Sequence, residues 1–424
     1  MGDSVRSWDD DERLPLPGGA CGSLPMAVEA VLRSRWGPRE ALERAVGTAA
    51  DLVVRPGCTQ YVGALLDAVR SDDLLMKLTI RAVAERVESL DMAEGAVVVG
   101  ACRDAMQGMP ERLRDEVFED LAARKCGVFL GTHLLVSIES ATDEEVAVAF
   151  GRDFGRLPPS ARRRLDLDLL VARCLNRFGT IPLSSQLDEL LDVVPLKELR
   201  DDVLQELVAR RYAEALDLAD VQPWHERRLA YLQRFTTEGE TRACLGIRED
   251  LARVAALPAK GVSADRVLGR VETVPEVLAR VPSNQVERFL AIVIARLPGR
   301  MTEEDHVLLG RRLYHPLHAR EFHRAVHSRV KRVAASLPEE IRGAEWAAFY
   351  GAWLSERLSA SGADAMVPFL REGLRAMDGR TRRELNGRLR ERLGKGVERL
   401  EGGRDWLGLG RRSGRRKSRG LSGR

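Results

Sequence analysis

Along this chain an aliphatic residue or methionine repeatedly stands directly before proline: Met109-Pro110, Leu157-Pro158, Val194-Pro195, Val281-Pro282, Leu297-Pro298 and Leu337-Pro338. Proline is tolerated in the first turn of a helix, and the residue before it is pushed out of the helical region. A charged amphipathic stretch follows most of these pairs, so each predicts the end of one helix and the start of another. The spacing is roughly regular. Pro298 to Pro338 is 40 residues, Pro110 to Pro158 is 48 and Pro158 to Pro195 is 37.

The faces between these marks are helical. Val28, Val31 and Leu32 share one side of a helix, as do Leu42, Ala45, Ala49 and Leu52. Thr142-x-x-Glu145 and Thr302-x-x-Asp305 read as capping boxes, and Ser185 and Ser263 as N-caps. Strand signals are scarce. Val97-Val98-Val99 is the best candidate, and its alanine- and glycine-rich flanks suit a buried helix better. The expected fold is therefore all-α, an α-solenoid or extended helical array of about 40-residue two-helix units. In period and punctuation it resembles HEAT-like repeats. Residues 1–25, rich in Gly, Pro and acid, are expected to form a flexible arm. The helical body should run over 26–403 with a sub-boundary near 257–262, and 404–424 should be a disordered basic tail.

Composition narrows the class. Of 424 residues 44% are hydrophobic and 31% charged, which suits a chain with a sizeable core, and aromatics at 5% imply that the core is mainly aliphatic. The longest apolar run, Phe289 to Ala295, is too short to span a bilayer. The six cysteines include no CxxC pair, and Asp9 to Glu12 place acid where a signal or transit peptide needs positive charge. Free thiols and an intracellular location, cytoplasmic or nuclear, are the expectation.

No P-loop, GxSxG elbow, dinucleotide loop or HExxH occurs, so no catalytic, cofactor or metal residue is assigned. Asp166 and Asp168, in a Leu-rich helix, should point to different sides. Five of the seven histidines fall between His306 and His327. His323 and His327, one turn apart, could hold a metal, but Arg320, Arg324 and Arg329 beside them oppose it, and a polar, solvated helix face is the expected reading. Trp346, Phe349, Tyr350 and Trp353 lie at i, i+3, i+4 and i+7 and form one aromatic stripe. Such a stripe is usually core. The sharper reading makes it a partner-binding groove.

Charge is asymmetric. The net charge is +3, yet Arg411, Arg412, Arg415, Arg416, Lys417, Arg419 and Arg424 crowd the C-terminus without an acid, so the remainder carries about −4. The tail is expected to make weak contacts with nucleic acid or another polyanion. The function expected is a non-enzymatic helical scaffold or adaptor for another protein. The alternative is a nucleic-acid-binding helical protein using its Arg-rich C-terminal region. The Arg- and Val-rich, Lys-poor texture, seen in Arg124 to Ser140 and Phe154 to Leu183, with dispersed cysteines and an Arg/Ser/Gly tail, resembles tegument-type structural proteins of GC-rich betaherpesviruses. That resemblance implies a virion or cytoplasmic assembly protein and assigns no residue a role.

Overall fold

A computed structural model describes residues 23–179, 183–237 and 239–355, with scattered positions between 368 and 385. Among the described residues the chain is all-helical, with twenty α-helices, four short 3-10 turns and no strand. The Val97–Val99 segment lies inside the helix Met92–Gln107, with Val98 and Val99 fully buried. No described helix is long and apolar enough to cross a membrane. Contacts divide the chain into two compact units, Met1–Arg211 and Tyr212–Arg424. The division cuts the helix Asp202–Ala215. The expected sub-boundary at 257–262 is instead a loop within the second unit.

In the first unit, helices pack along two rows. One row runs Arg39–Val53, Asp73–Ala84, Glu111–Ala123 and Pro159–Arg162. The other runs Val62–Ala68, Met92–Gln107, Gly127–Ser140 and Leu167–Arg177. In the second unit, Glu240–Ala255, Ser283–Ala295 and Ala319–Ser336 form one row. Glu303–Leu313 in the other row meets Ala264–Leu268, Pro275–Leu278 and Glu339–Ser355.

Polar ties between neighbouring segments recur at sequence distances of 36 to 44 residues. Glu94 accepts from the Gly57 N–H, 37 residues away, and Arg124 reaches Glu85 at 39. Arg177 donates to the Ala141 carbonyl at 36, Arg324 to Glu287 at 37, and the Met301 N–H to Glu345 at 44. The exposed ones among them contribute little each. Arg248 differs. It is 3% exposed, and its guanidinium donates to the Leu216 and Cys244 carbonyls and to Gln285 at 2.8–3.0 Å, which satisfies a buried charge from three elements.

The aliphatic–proline boundaries fall into two groups. Pro110 and Pro282 stand at the N-caps of full helices, and the Pro338 carbonyl accepts the first helical bonds of Glu339–Ser355. After Pro158 and Pro195 come only a four-residue turn and a 3-10 turn. Thr302 and Asp305 form the reciprocal box at 3.1 and 2.9 Å, and Ser263 caps its helix. Thr142 does not cap: its hydroxyl donates to the Glu145 carboxylate in a turn, and the helix starts only at Val146. Ser185 sits inside the helix Ser184–Val193, where Gln186 reaches back to the Leu183 N–H instead. Helix Leu24–Ser34 begins within the expected arm, with Leu24 buried. Cys102, Cys126, Cys174 and Cys244 are buried free thiols, whereas Cys58 is disulfide-bonded and departs from the all-thiol expectation.

Candidate functional site

The histidine run and the aromatic stripe turn out to be one packed interior in the second unit. Trp346, Phe349 and Tyr350 are at most 4% exposed, and Trp346 and Tyr350 stack at 5.8 Å. His327 lies 5.4 Å from the Trp346 ring and His306 5.5 Å from Phe349. The described part of the stripe is therefore core, with no open groove. The side chain of Trp353 lies outside the described residues. The expected solvated histidine face is also corrected: His306, His318, His323 and His327 are all buried. The sign was present in the sequence, because Phe322, His323, Val326, His327 and Val330 share one helical stripe whose other members are apolar. Burial holds His306 and His323 at about 3 and lowers His327, so these rings are neutral at pH 7. Among the described residues no group of three or more potential metal ligands forms.

Asp166 and Asp168 do diverge. Asp166 caps its own helix through the Leu169 N–H, and Asp168 accepts from the Arg200 N–H at 3.0 Å. Neither is free for chemistry.

A different cluster lies in the first unit, where four helices meet around a cavity of about 360 Å³. Met92–Gln107 brings Arg103 and Gln107; Glu111–Ala123 brings Arg114 and Phe118. The turn between Glu111–Ala123 and Gly127–Ser140 is tight. Lys125 takes the left-handed conformation (φ 65°), while the Cys126 and Lys125 N–H groups close back on the Leu121 and Ala122 carbonyls. That turn delivers His133 to the wall. Val146–Arg156 supplies Arg152, Asp153 and Arg156.

The electrostatics of this cavity are one-sided. Asp153, 6% exposed, is its single carboxylate. It accepts from the Ser137 hydroxyl at 2.6 Å and from Arg152 Nε at 3.2 Å, with Arg156 at 3.9 Å. Although burial opposes it, these partners hold the Asp153 carboxyl below its ordinary value, so it is charged at pH 7. His133 is 4% exposed, sits 4.0 Å from Asp153 and packs on Phe118 at 5.3 Å. Burial drives its pKa down to about 4, against the pull of Asp153, so it is neutral. His133 Nδ1 and Arg114 Nε are buried without a hydrogen-bond partner. Four guanidinium groups thus face one carboxylate. A second charged cavity, around Asp250, is balanced, because Arg253 there meets Glu226, Glu249, Asp250 and Glu272.

A third feature is an exposed aromatic. Trp36, in the turn after the first described helix, is 84% exposed. The Arg35 guanidinium lies 4.8 Å from its ring centre and is itself held by Asp72 at 2.6 Å. Leu32 and Leu74 nearby are also exposed. The expected polyanion contacts Arg411, Arg412, Arg415, Arg416, Lys417 and Arg419 lie outside the described residues. A comparison with models of known protein families finds no match, and a comparison with curated proteins finds none either.

Proposed function

We propose that this chain is a non-enzymatic helical scaffold or adaptor that holds another protein, within a tegument-like viral assembly or another intracellular one. The observation that carries the reading is Trp36. Its indole is almost wholly in water, yet the Arg35 guanidinium lies over it and is itself paired with Asp72. Ordered aromatic and arginine side chains are the groups that dominate protein interfaces, because they bury much area while losing little freedom. The recurrent polar ties and the rows of helices support reading the two-helix units as HEAT-like repeats, a framework suited to presenting such an anchor.

The test replaces Trp36 by a photo-crosslinking phenylalanine analogue and places the same analogue at Arg112 as an exposed control. A discrete adduct with one protein from position 36 alone, whose association with the native chain falls at least tenfold in Trp36→Ala, is the expected result. Equal adducts from both positions, or association untouched by Trp36→Ala, would overturn it.

A second reading, nucleic-acid binding, draws on the basic run from Arg411 to Arg424. Its test is a salt titration.

A further inference from the structure

The arginine-lined cavity of the first unit is a feature that neither the scaffold reading nor the helix packing needs. A buried donor or acceptor left without a partner is costly. Here two such groups, His133 Nδ1 and Arg114 Nε, sit in the wall of one cavity. Arg103 and Arg114 form no ion pair among the described residues. Arg103 has one long contact, to the Ser140 hydroxyl at 3.4 Å. Asp153 offsets one of the four guanidinium charges through its ion pair with Arg152. The wall therefore carries a surplus of three positive charges over its one carboxylate, on side chains arriving from separate helices.

Guanidinium groups are planar donors that match oxyanions two bonds at a time. A lone carboxylate would answer only one of the three surplus charges. A phosphate monoester, with close to two charges at neutral pH and three acceptor oxygens, answers most of them. The volume lies at the small end of ligand cavities, which favours a compact molecule over a nucleotide. We propose that the cavity lined by Arg103, Arg114, Arg152 and Arg156, with His133 in its wall, is a binding site for a small phosphate monoester. The anion accepts from the guanidinium forks, and His133 Nδ1 and Arg114 Nε lie where its oxygens complete them. The proposal stands apart from the partner-binding reading, to which Trp36 contributes and this cavity does not.

The experiment uses the full chain at pH 7.5 and constant ionic strength. Equilibrium dialysis with labelled inorganic phosphate should give one saturable site per chain, displaced by glycerol phosphate and not by chloride. Tighter displacement by glycerol phosphate than by unlabelled phosphate identifies the monoester as the preferred form. Arg103→Gln and Arg114→Gln should each weaken phosphate binding by about tenfold or more, the worth of one charge-assisted contact. Arg112→Gln, which removes the same charge from a 92% exposed side chain on the same helix, should leave it unchanged. No saturable binding by the native chain at millimolar phosphate would overturn the proposal, whatever the variants do. So would equal weakening by Arg112→Gln, which would reduce the effect to overall charge.

Discussion

His306 is 2% exposed, and both its ring nitrogens are buried without a hydrogen-bond partner. Burial, helped by Arg329 and opposed by Asp305, holds its pKa at about 3, against 6.5 for an ordinary imidazole. The unfolded chain therefore takes up a proton on this ring below pH 6.5 and the folded chain does not. Stability from His306 is fully present above that pH and is lost as the pH falls toward 3. Each pH unit in this window is worth about 1.4 kcal/mol, so the loss is about 2 kcal/mol at pH 5. Asp250 works the other way. Burial raises its carboxyl to about 6, so between its unfolded value and 6 it gains stability on acidification. The informative quantity is therefore a difference. Urea unfolding followed by circular dichroism at pH 7 and pH 5, for the native chain and His306→Gln, should show the native chain losing about 2 kcal/mol more than the variant. Losses equal to within about 0.5 kcal/mol would refute the buried, neutral imidazole.

Leu170→Ala and Leu204→Ala, at positions 2% and 6% exposed, should each cost about 2–5 kcal/mol in chemical unfolding; less than about 0.5 at both would contradict the assigned core faces. Asp250→Ala leaves the Glu272 and Thr273 N–H groups, now bonded at 2.9 Å, without acceptors and should cost about 2–5 kcal/mol by the same measurement. Deleting residues 411–424 should leave the melting temperature nearly unchanged. If the tail carries nucleic-acid binding through its seven cations, the native chain will show a log–log salt slope of roughly −6 on duplex DNA, and the deletion will remove most of it. A slope that survives deletion would move binding onto the helical body.

Helix starts were legible where the signal is local. Proline excludes conformations at its own residue and the one before, so Pro110, Pro282 and Pro338 mark starts whatever surrounds them. The same rule says nothing about how far a helix continues, which is why Pro158 and Pro195 open only short turns. Thr142 failed for a related reason: its hydroxyl had a second partner, the Glu145 side chain, that the spacing alone does not exclude. For the histidines, position on the helix outweighs polarity. Sharing a stripe with Phe322, Val326 and Val330 decides burial, and the ring adapts by staying neutral. The arginine cavity left no sequence signal. Its cations come from three helices in a chain with 60 arginines, and only the fold separates them from those on the surface.

The polar ties that recur at 36 to 44 residues have a kinetic consequence. Each helix in a row finds the next by closing a short stretch of chain, and closure entropy grows only slowly with such lengths. Assembly can start at more than one place and spread outward, and it should be fast for a chain of this size. The reverse also holds. Opening begins where a helix has a neighbour on one side only, so resistance to hydrogen exchange should form a graded profile along each unit, highest in its middle helices. A ligand or partner seated on one pair of helices would then slow exchange most strongly in the adjoining pairs, and progressively less in those further along the row.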